Sequence, residues 1–191
     1  LNYYETYNRN NVRLVDISKS GIEEITEHGL RTSDEEFDLD YIIFATGFDA
    51  MTGAILNIDI RGRSGQSLKE KWSDGPVNYL GAGTSGFPNM FTVVGPGNPS
   101  VLTNLVCTIE HHVEWIVECI SYLRVNAISM IEVTPEAEKS WVSHVNELAE
   151  NTIFPRCNSW YVGANIPGKP RVFMLYLGLP SYKEKCAEIA Q

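Results

Sequence analysis

Residues 91–104, FTVVGPGNPSVLTN, decide how the rest of the chain is read. Phe91, Val93 and Val94 are aromatic or β-branched and predict a buried strand, and the run from Gly95 to Pro99 can continue neither strand nor helix, so a turn is forced. Ser100 is placed to cap a helix opening at Leu102. Beyond it apolar residues recur at 105, 106, 109, 113, 116, 117, 120 and 123, the spacing of one helix face. A glycine-rich turn that opens a helix offers free backbone N–H groups and a partial positive charge to an anion or an electron-rich ring edge. The local pattern fits a cofactor seat and an ordinary strand-to-helix connection equally well.

Working outward, the 191 residues are 43% hydrophobic and 20% charged, a globular composition. The net charge of −9, with no lysine or arginine cluster interleaved with aromatics, argues against nucleic acid and against an acidic membrane surface. No apolar run approaches the roughly 20 residues of a membrane span, and LNYYETYNRN lacks the design of a secretion signal. A first residue of Leu instead of Met suggests a fragment or a processed product. Cys107, Cys119, Cys157 and Cys186 show no C-x-x-C spacing, so reduced thiols in a cytoplasmic protein are expected. Cys107 and Cys119 would lie about 18 Å apart on one helix, too far for a disulfide.

Before the decisive stretch, strands are predicted at 12–17, 22–26 and 30–32, forming a β-meander. The run LDYIIFA at 39–45 is continuously apolar, like a strand buried on both faces of a parallel sheet. Residues 58–61 read as a short strand and 68–72 as one or two helical turns. After the long helix, 128–133 reads as a strand, and Thr134 caps a helix starting at Pro135, with Ala137, Trp141, Val145, Leu148 and Ala149 on its apolar face. Residues 154–168 are irregular, 171–177 read as a strand and 181–190 as a helix. The fold class is α/β.

Several chemistries can be set aside. GAGTSG at 81–86 matches the dinucleotide fingerprint G-x-G-x-x-G but precedes Phe87, Pro88 and a strand, whereas the fingerprint must open a helix, so a tight loop is expected. Glu110, His111, His112 and Glu114 lie close together without the H-E-x-x-H order, and the two histidines point about 100° apart on a helix, so no metal site is expected. His28, in a turn, and His144, on a helix face, read as solvated. Ser64 and Ser85 both miss the G-x-S-x-G elbow by one position, which removes a hydrolase reading.

Three stretches together carry a resemblance: DYIIFATGFDAMTGA at 40–54, FPNMFTVVGPGNPSVLTN at 87–104 and SWYVGANIPGKPRVFMLYLGL at 159–179. They resemble the C-terminal portion of the Baeyer-Villiger monooxygenases, with phenylacetone and steroid monooxygenases nearest in appearance, and the likeness spans nearly the whole chain. The resemblance implies a flavoprotein with two interleaved, Rossmann-like dinucleotide-binding domains, using FAD and NADPH with O₂ to convert ketones to esters or lactones. Residues 1–45 would end the NADPH-binding domain and 46–191 would form the C-terminal half of the FAD-binding domain. The N-terminal portion of the same enzyme is the implied partner. It would carry both fingerprints and the catalytic arginine, upstream of Leu1, leaving no catalytic residue here and the fragment inactive alone.

By position, the resemblance puts the backbone of Leu105, next to Asn104, at the flavin ring edge, and makes Val101, Leu102 and Leu105 the lining of the ketone pocket. Leu105 stands where close relatives commonly carry methionine. Trp160 matches the tryptophan of a mobile loop that closes on NADP, and its alternative is a packed core aromatic. Thr46, Gly47 and Asp49 follow the apolar run, where ligands bind in open α/β sheets, and a hinge there is the alternative. Other readings are a nitrogen- or sulfur-oxidising flavin monooxygenase, or a catalytically silent binding module.

Overall fold

The computed structural model describes residues 2–190. The chain divides into two compact units at the boundary between Thr46 and Gly47.

The first unit is built on a meander of β1 (Ile22–Ile25), β2 (Gly29–Thr32) and β3 (Glu36–Asp38), antiparallel in the order β1-β2-β3, after a single-turn helix α1 (Tyr3–Thr6). Ile25 faces Leu30, and Leu30 faces Phe37. Thr32 closes the second turn by donating its hydroxyl to the Glu35 carbonyl and accepting from the Glu35 N–H at 3.1 Å. Two expected strands are absent. Residues 12–17 and 39–45 have no strand assignment, and Tyr41 and Ile43 are each 88% exposed. A strand requires a neighbour to take its amides and carbonyls, and among the described residues the only backbone bond from either run to another segment is that of the Leu39 N–H to the His28 carbonyl at 2.8 Å. Arg13 is held instead by side chains, paired with Glu35 and lying over the Phe37 ring at 5.3 Å.

The second unit is helical with long, well-tied loops. It contains α2 (Gly53–Leu56), α3 (Leu68–Lys71), α4 (Leu105–Val125), α5 (Pro135–Glu150) and α6 (Leu179–Ile189), with 3₁₀ turns at Ser100–Leu102, Phe154–Arg156 and Trp160–Val162. α3 is fixed by a reciprocal capping box between Ser67 and Glu70. α5 starts as its sequence dictates. Thr134 Oγ1 accepts from the Ala137 N–H at 3.2 Å, Pro135 fills the first turn, and Trp141, Val145 and Ala149 are buried. They meet Leu80, Leu175, Tyr176, Tyr182 and Cys186 in the main core, while Leu68, Trp72 and Phe87 form a smaller cluster.

The strands expected at 58–61, 91–94, 128–133 and 171–177 are not formed. They survive as single bridges (Arg61 with Ser67, Asn98 with Leu175) or as loops whose amides bond elsewhere. In the decisive stretch the Thr92 N–H donates to the Ala82 carbonyl, Gly95 to Gly81, and Val94 to a histidine ring nitrogen. Val94 has φ 57°, a left-handed conformation that a β-branched residue adopts only when its surroundings hold it there. The helix also starts later than expected. Ser100–Leu102 is a separate 3₁₀ turn, Thr103 is extended, and the cap is Asn104, whose Oδ1 accepts from the Val106 N–H at 3.1 Å. α4 buries Thr108, His112 and Ile116, and leaves most of its apolar stripe outside.

Candidate functional site

The turn 95–99 is pinned from three sides. Asn98 is fully buried; its amide donates to the Gly95 carbonyl, and its Oδ1 accepts from the Ser100 N–H at 2.7 Å. On the C-terminal side, the Gly97 N–H donates to the Met174 carbonyl at 2.7 Å and the Tyr176 N–H to the Asn98 carbonyl at 2.8 Å. The Trp141 indole N–H reaches the Gly97 carbonyl at 3.1 Å. Gly97 has φ +88°, and a Cβ there would lie 3.0 Å from the Trp141 indole nitrogen, so the position needs glycine twice over.

The 81–86 loop packs against this turn. Gly81 has φ +67°, and a Cβ would stand 2.7 Å from the Asn98 Cβ and 2.8 Å from the Gly95 carbonyl oxygen. No helix follows it. GAGTSG is thus a structural tight loop, as its context predicts, held at Ser85 by buried Glu138, which accepts from the Ser85 N–H and hydroxyl, both at 2.8 Å. Lys71 completes that group, 2.9 Å from the Glu138 carboxylate.

His112 anchors α4 behind the turn. Its Nδ1 accepts from the Val94 N–H at 3.0 Å, so the ring proton sits on Nε2 and donates to the Tyr182 hydroxyl, which donates in turn to the Leu80 carbonyl. Burial, with a smaller contribution from His111, lowers the His112 pKa to about 4. Burial also pushes the Tyr182 hydroxyl far up, so both groups are neutral at pH 7. The described residues hold no grouping that could bind a metal ion. His144, expected in solvent, is half-buried between Trp141 and Tyr176.

The corner where α4 begins collects four of the expected site residues. Leu105 is the first residue of the helix, where a backbone N–H has no acceptor within the helix, and Asn104 is its cap. Val101 and Leu105 are part-exposed, whereas Leu102 turns inward against the main core. Ser100 is buried, and its hydroxyl has no protein partner.

A second grouping joins residues far apart in sequence. Lys169 pairs with the Asp49 carboxylate and donates to the Ala50 carbonyl at 3.2 Å, and the Asn165 amide donates to the Phe48 carbonyl at 2.9 Å. Gly47 has φ +85° and its missing Cβ would face Asn165 at 3.5 Å. Trp160, on the same 159–170 segment, is 39% exposed and lies against Tyr161, so it is not a core aromatic. Thr46 is exposed. Sequence reasoning missed Lys169 and Asn165 because each, taken alone, is an ordinary loop residue. Lys169→Met should cost under about 1 kcal/mol, since the pair is partly solvated, yet hydrogen exchange should speed up across residues 158–170. Unchanged exchange would show that the tie does not order the segment.

A cavity of about 530 Å³ lies elsewhere, between Tyr79, Phe87, Trp115, Cys119, Tyr122 and Ile131, and contains none of the expected site residues. The four cysteines are free.

No family model matches the chain. The Baeyer-Villiger monooxygenase of Pseudooceanicola batsensis is 43% identical over 192 residues, covering 100% of this chain and 35% of that protein. Phenazine N-monooxygenase of Lysobacter antibioticus is 44% identical, with 98% and 35% covered. A closed crystal structure of cyclohexanone monooxygenase superposes with a TM-score of 0.91 at 45% identity, covering 100% of this chain and 36% of that one. The chain matches a segment of the Baeyer-Villiger monooxygenases. OTEMO in complex with FAD and NADP gives a TM-score of 0.88 at 42% identity, with 100% and 35% covered, so the chain has the α/β fold of the corresponding segment of that flavoprotein. The chain spans about a third of the length of the relatives it matches.

Proposed function

We propose that the chain is the C-terminal portion of an FAD- and NADPH-dependent Baeyer-Villiger monooxygenase that converts ketones to esters or lactones with O₂. The observation that carries this reading is the corner at the start of α4, where an uncapped Leu105 N–H, a buried unpartnered Ser100 hydroxyl and part-exposed Val101 and Leu105 meet. This corner suits an electron-rich ring edge beside an apolar substrate. FAD, reduced by NADPH, supplies the activation of oxygen. The chain's own residues position and shield. The Leu105 N–H and the α4 N-terminus favour negative charge at the ring edge, and Val101 and Leu105, backed by Leu102, form an apolar wall that excludes water from the ketone.

In the same reading Trp160 meets NADP with its exposed face and indole N–H, and Thr46, Gly47 and Asp49 lie beside a cofactor. Residues 1–45 close a Rossmann-like NADPH domain and 46–191 complete the FAD domain. The fingerprints and the catalytic arginine belong to polypeptide upstream of Leu1. No described helix is long and apolar enough to cross a membrane. A cytoplasmic location is proposed on the free state of the four cysteines. A second reading, oxidation of a ring nitrogen, has support from the match to phenazine N-monooxygenase.

The full-length parent should form an ester or lactone from a ketone, dependent on NADPH and O₂. Formation of only an N-oxide from a phenazine would favour the second reading. The 191-residue chain alone should bind FAD weakly and oxidise no ketone; a stoichiometric yellow flavin with ester formation would overturn the division proposed here. In the full-length enzyme Trp160→Ala should raise the KM for NADPH about tenfold or divert reduced flavin to hydrogen peroxide. Unchanged kinetics and coupling would leave Trp160 without a cofactor role.

A further inference from the structure

Two residues other than glycine hold left-handed backbone beside the 95–99 turn, Leu80 at φ 58° and Val94 at φ 57°. In a leucine or a valine this conformation persists only where the surroundings over-determine it, and such residues cluster at active sites and ligand clamps. One relay of hydrogen bonds joins the two. The Val94 N–H donates to His112 Nδ1 at 3.0 Å, the His112 Nε2–H donates to the Tyr182 hydroxyl, and that hydroxyl donates to the Leu80 carbonyl. Leu80, His112 and Tyr182 are all buried, and the two rings stack with centres 5.5 Å apart. The neighbouring backbones are tied as well, the Gly95 N–H to the Gly81 carbonyl at 2.9 Å.

The relay brackets the candidate site. Val94 precedes the turn, and His112 stands on α4 about 10 Å along the axis from Leu105. The bond between them therefore closes a loop that carries Val101, Leu102, Asn104 and Leu105. Where His112 can sit is decided in turn by Tyr182, which belongs to α6. We propose that Tyr182 and His112 are positioning residues of the flavin seat, through which α6 fixes the angle between the 95–99 turn and the first turn of α4. The inference rests on the proposed reading of that corner as the ring end of the FAD site. The Leu105 N–H has to meet the ring edge while Val101 and Leu105 keep water out, and a misplacement of about 1 Å is enough to separate these tasks. With the relay cut, water enters the corner, and O₂ takes two electrons and two protons from reduced flavin and leaves as hydrogen peroxide instead of entering an ester.

The test compares Tyr182→Phe, His112→Ala and His112→Asn in the full-length enzyme with Trp72→Phe. The last removes a comparable bond, from the indole N–H to the Val77 carbonyl at 2.7 Å, in the separate smaller core cluster. Hydrogen exchange of the 92–105 peptide, read by mass without turnover, should quicken at least tenfold in Tyr182→Phe and His112→Ala. Hydrogen peroxide formed per NADPH oxidised should rise at least threefold in both, with the KM for NADPH within twofold of wild type. His112→Asn, whose Oδ1 can accept from the Val94 N–H in place of Nδ1, should recover most of both losses, and Trp72→Phe should show neither. If His112→Ala does not fold, Tyr182→Phe, which keeps the ring, decides alone. Wild-type exchange and coupling in the relay variants would overturn the inference, as would equal changes in Trp72→Phe, which would assign them to general loosening. Faster exchange with wild-type coupling would also overturn it, since the relay would then only support the fold. A wild type that holds FAD, with relay variants indistinguishable from it, sinks only the positioning role; a wild type without FAD sinks the flavin seat as well.

Discussion

Trp141→Ala is expected to lower the stability of the second unit by about 3–5 kcal/mol, the range for deleting a fully buried large aromatic. The indole is 5% exposed, stacks on Tyr176 with ring centres 5.1 Å apart and planes 8° apart, and meets Tyr79 and Tyr182 edge-on. Its N–H also satisfies the Gly97 carbonyl, so truncation leaves a cavity and an unpartnered buried acceptor at once. Urea unfolding followed by circular dichroism should show the midpoint shift. Trp141→Phe should recover much of the packing without the hydrogen bond. If alanine and phenylalanine were equally mild, the core would not be organised around this ring.

Acidification should destabilise the same unit over a defined window. An unfolded histidine titrates near 6.5, whereas His112 in the native state titrates near 4. Between these values the unfolded chain holds a proton that the native chain refuses, so stability is fully present above about pH 6.5 and falls as the pH drops. The loss from this group reaches about 3 kcal/mol by pH 4 and levels off about one pH unit below it. The geometry gives the reason: a proton on Nδ1 would point at the Val94 N–H. Unfolding measured between pH 7 and 5, before most carboxylates titrate, should show the slope, and His112→Gln should flatten it while lowering stability at pH 7. A wild-type slope retained in His112→Gln would assign it to other groups. The His111 pKa is lowered by burial first, and contributes in the same direction.

Legibility from sequence followed how local each signal was. α5 could be read to the residue because Thr134, Pro135 and the Trp141, Val145, Ala149 spacing all act within a few turns. β1 and β2 were legible for the same reason, although the third strand of the meander is Glu36–Asp38 and not the expected 12–17. The rejection of GAGTSG was legible too, since a fingerprint without a following helix cannot hold a pyrophosphate at a helix start. Residues 39–45 show the opposite case. Their pattern states that they are meant to be buried between strands, but pattern cannot supply the neighbours, and among the described residues no strand pairs with them beyond the single bond from Leu39 to His28. α4 was legible as a helix but not in its orientation. The face inferred from its apolar residues is mostly outside, and the helix is held by Thr108, His112 and Ile116, two of them polar. Asn98 gave no signal beyond a turn, and its buried amide proves to organise the candidate site.

The bonds that hold Asn98 and Gly97 come from Met174 and Tyr176, near the far end of the sequence. A ribosome making this protein therefore produces the turn long before it produces the strap that locks it. Until residues 174–176 emerge, the Gly97 amide and Asn98 carbonyl must stay with water, and the entropy of closing so long a loop falls on their docking. The turn beside α4 is thus completed only once residues 174–176 have been made, so a nascent chain cut short before residue 174 would have the helix and the glycines in place but nothing to fix the geometry between them.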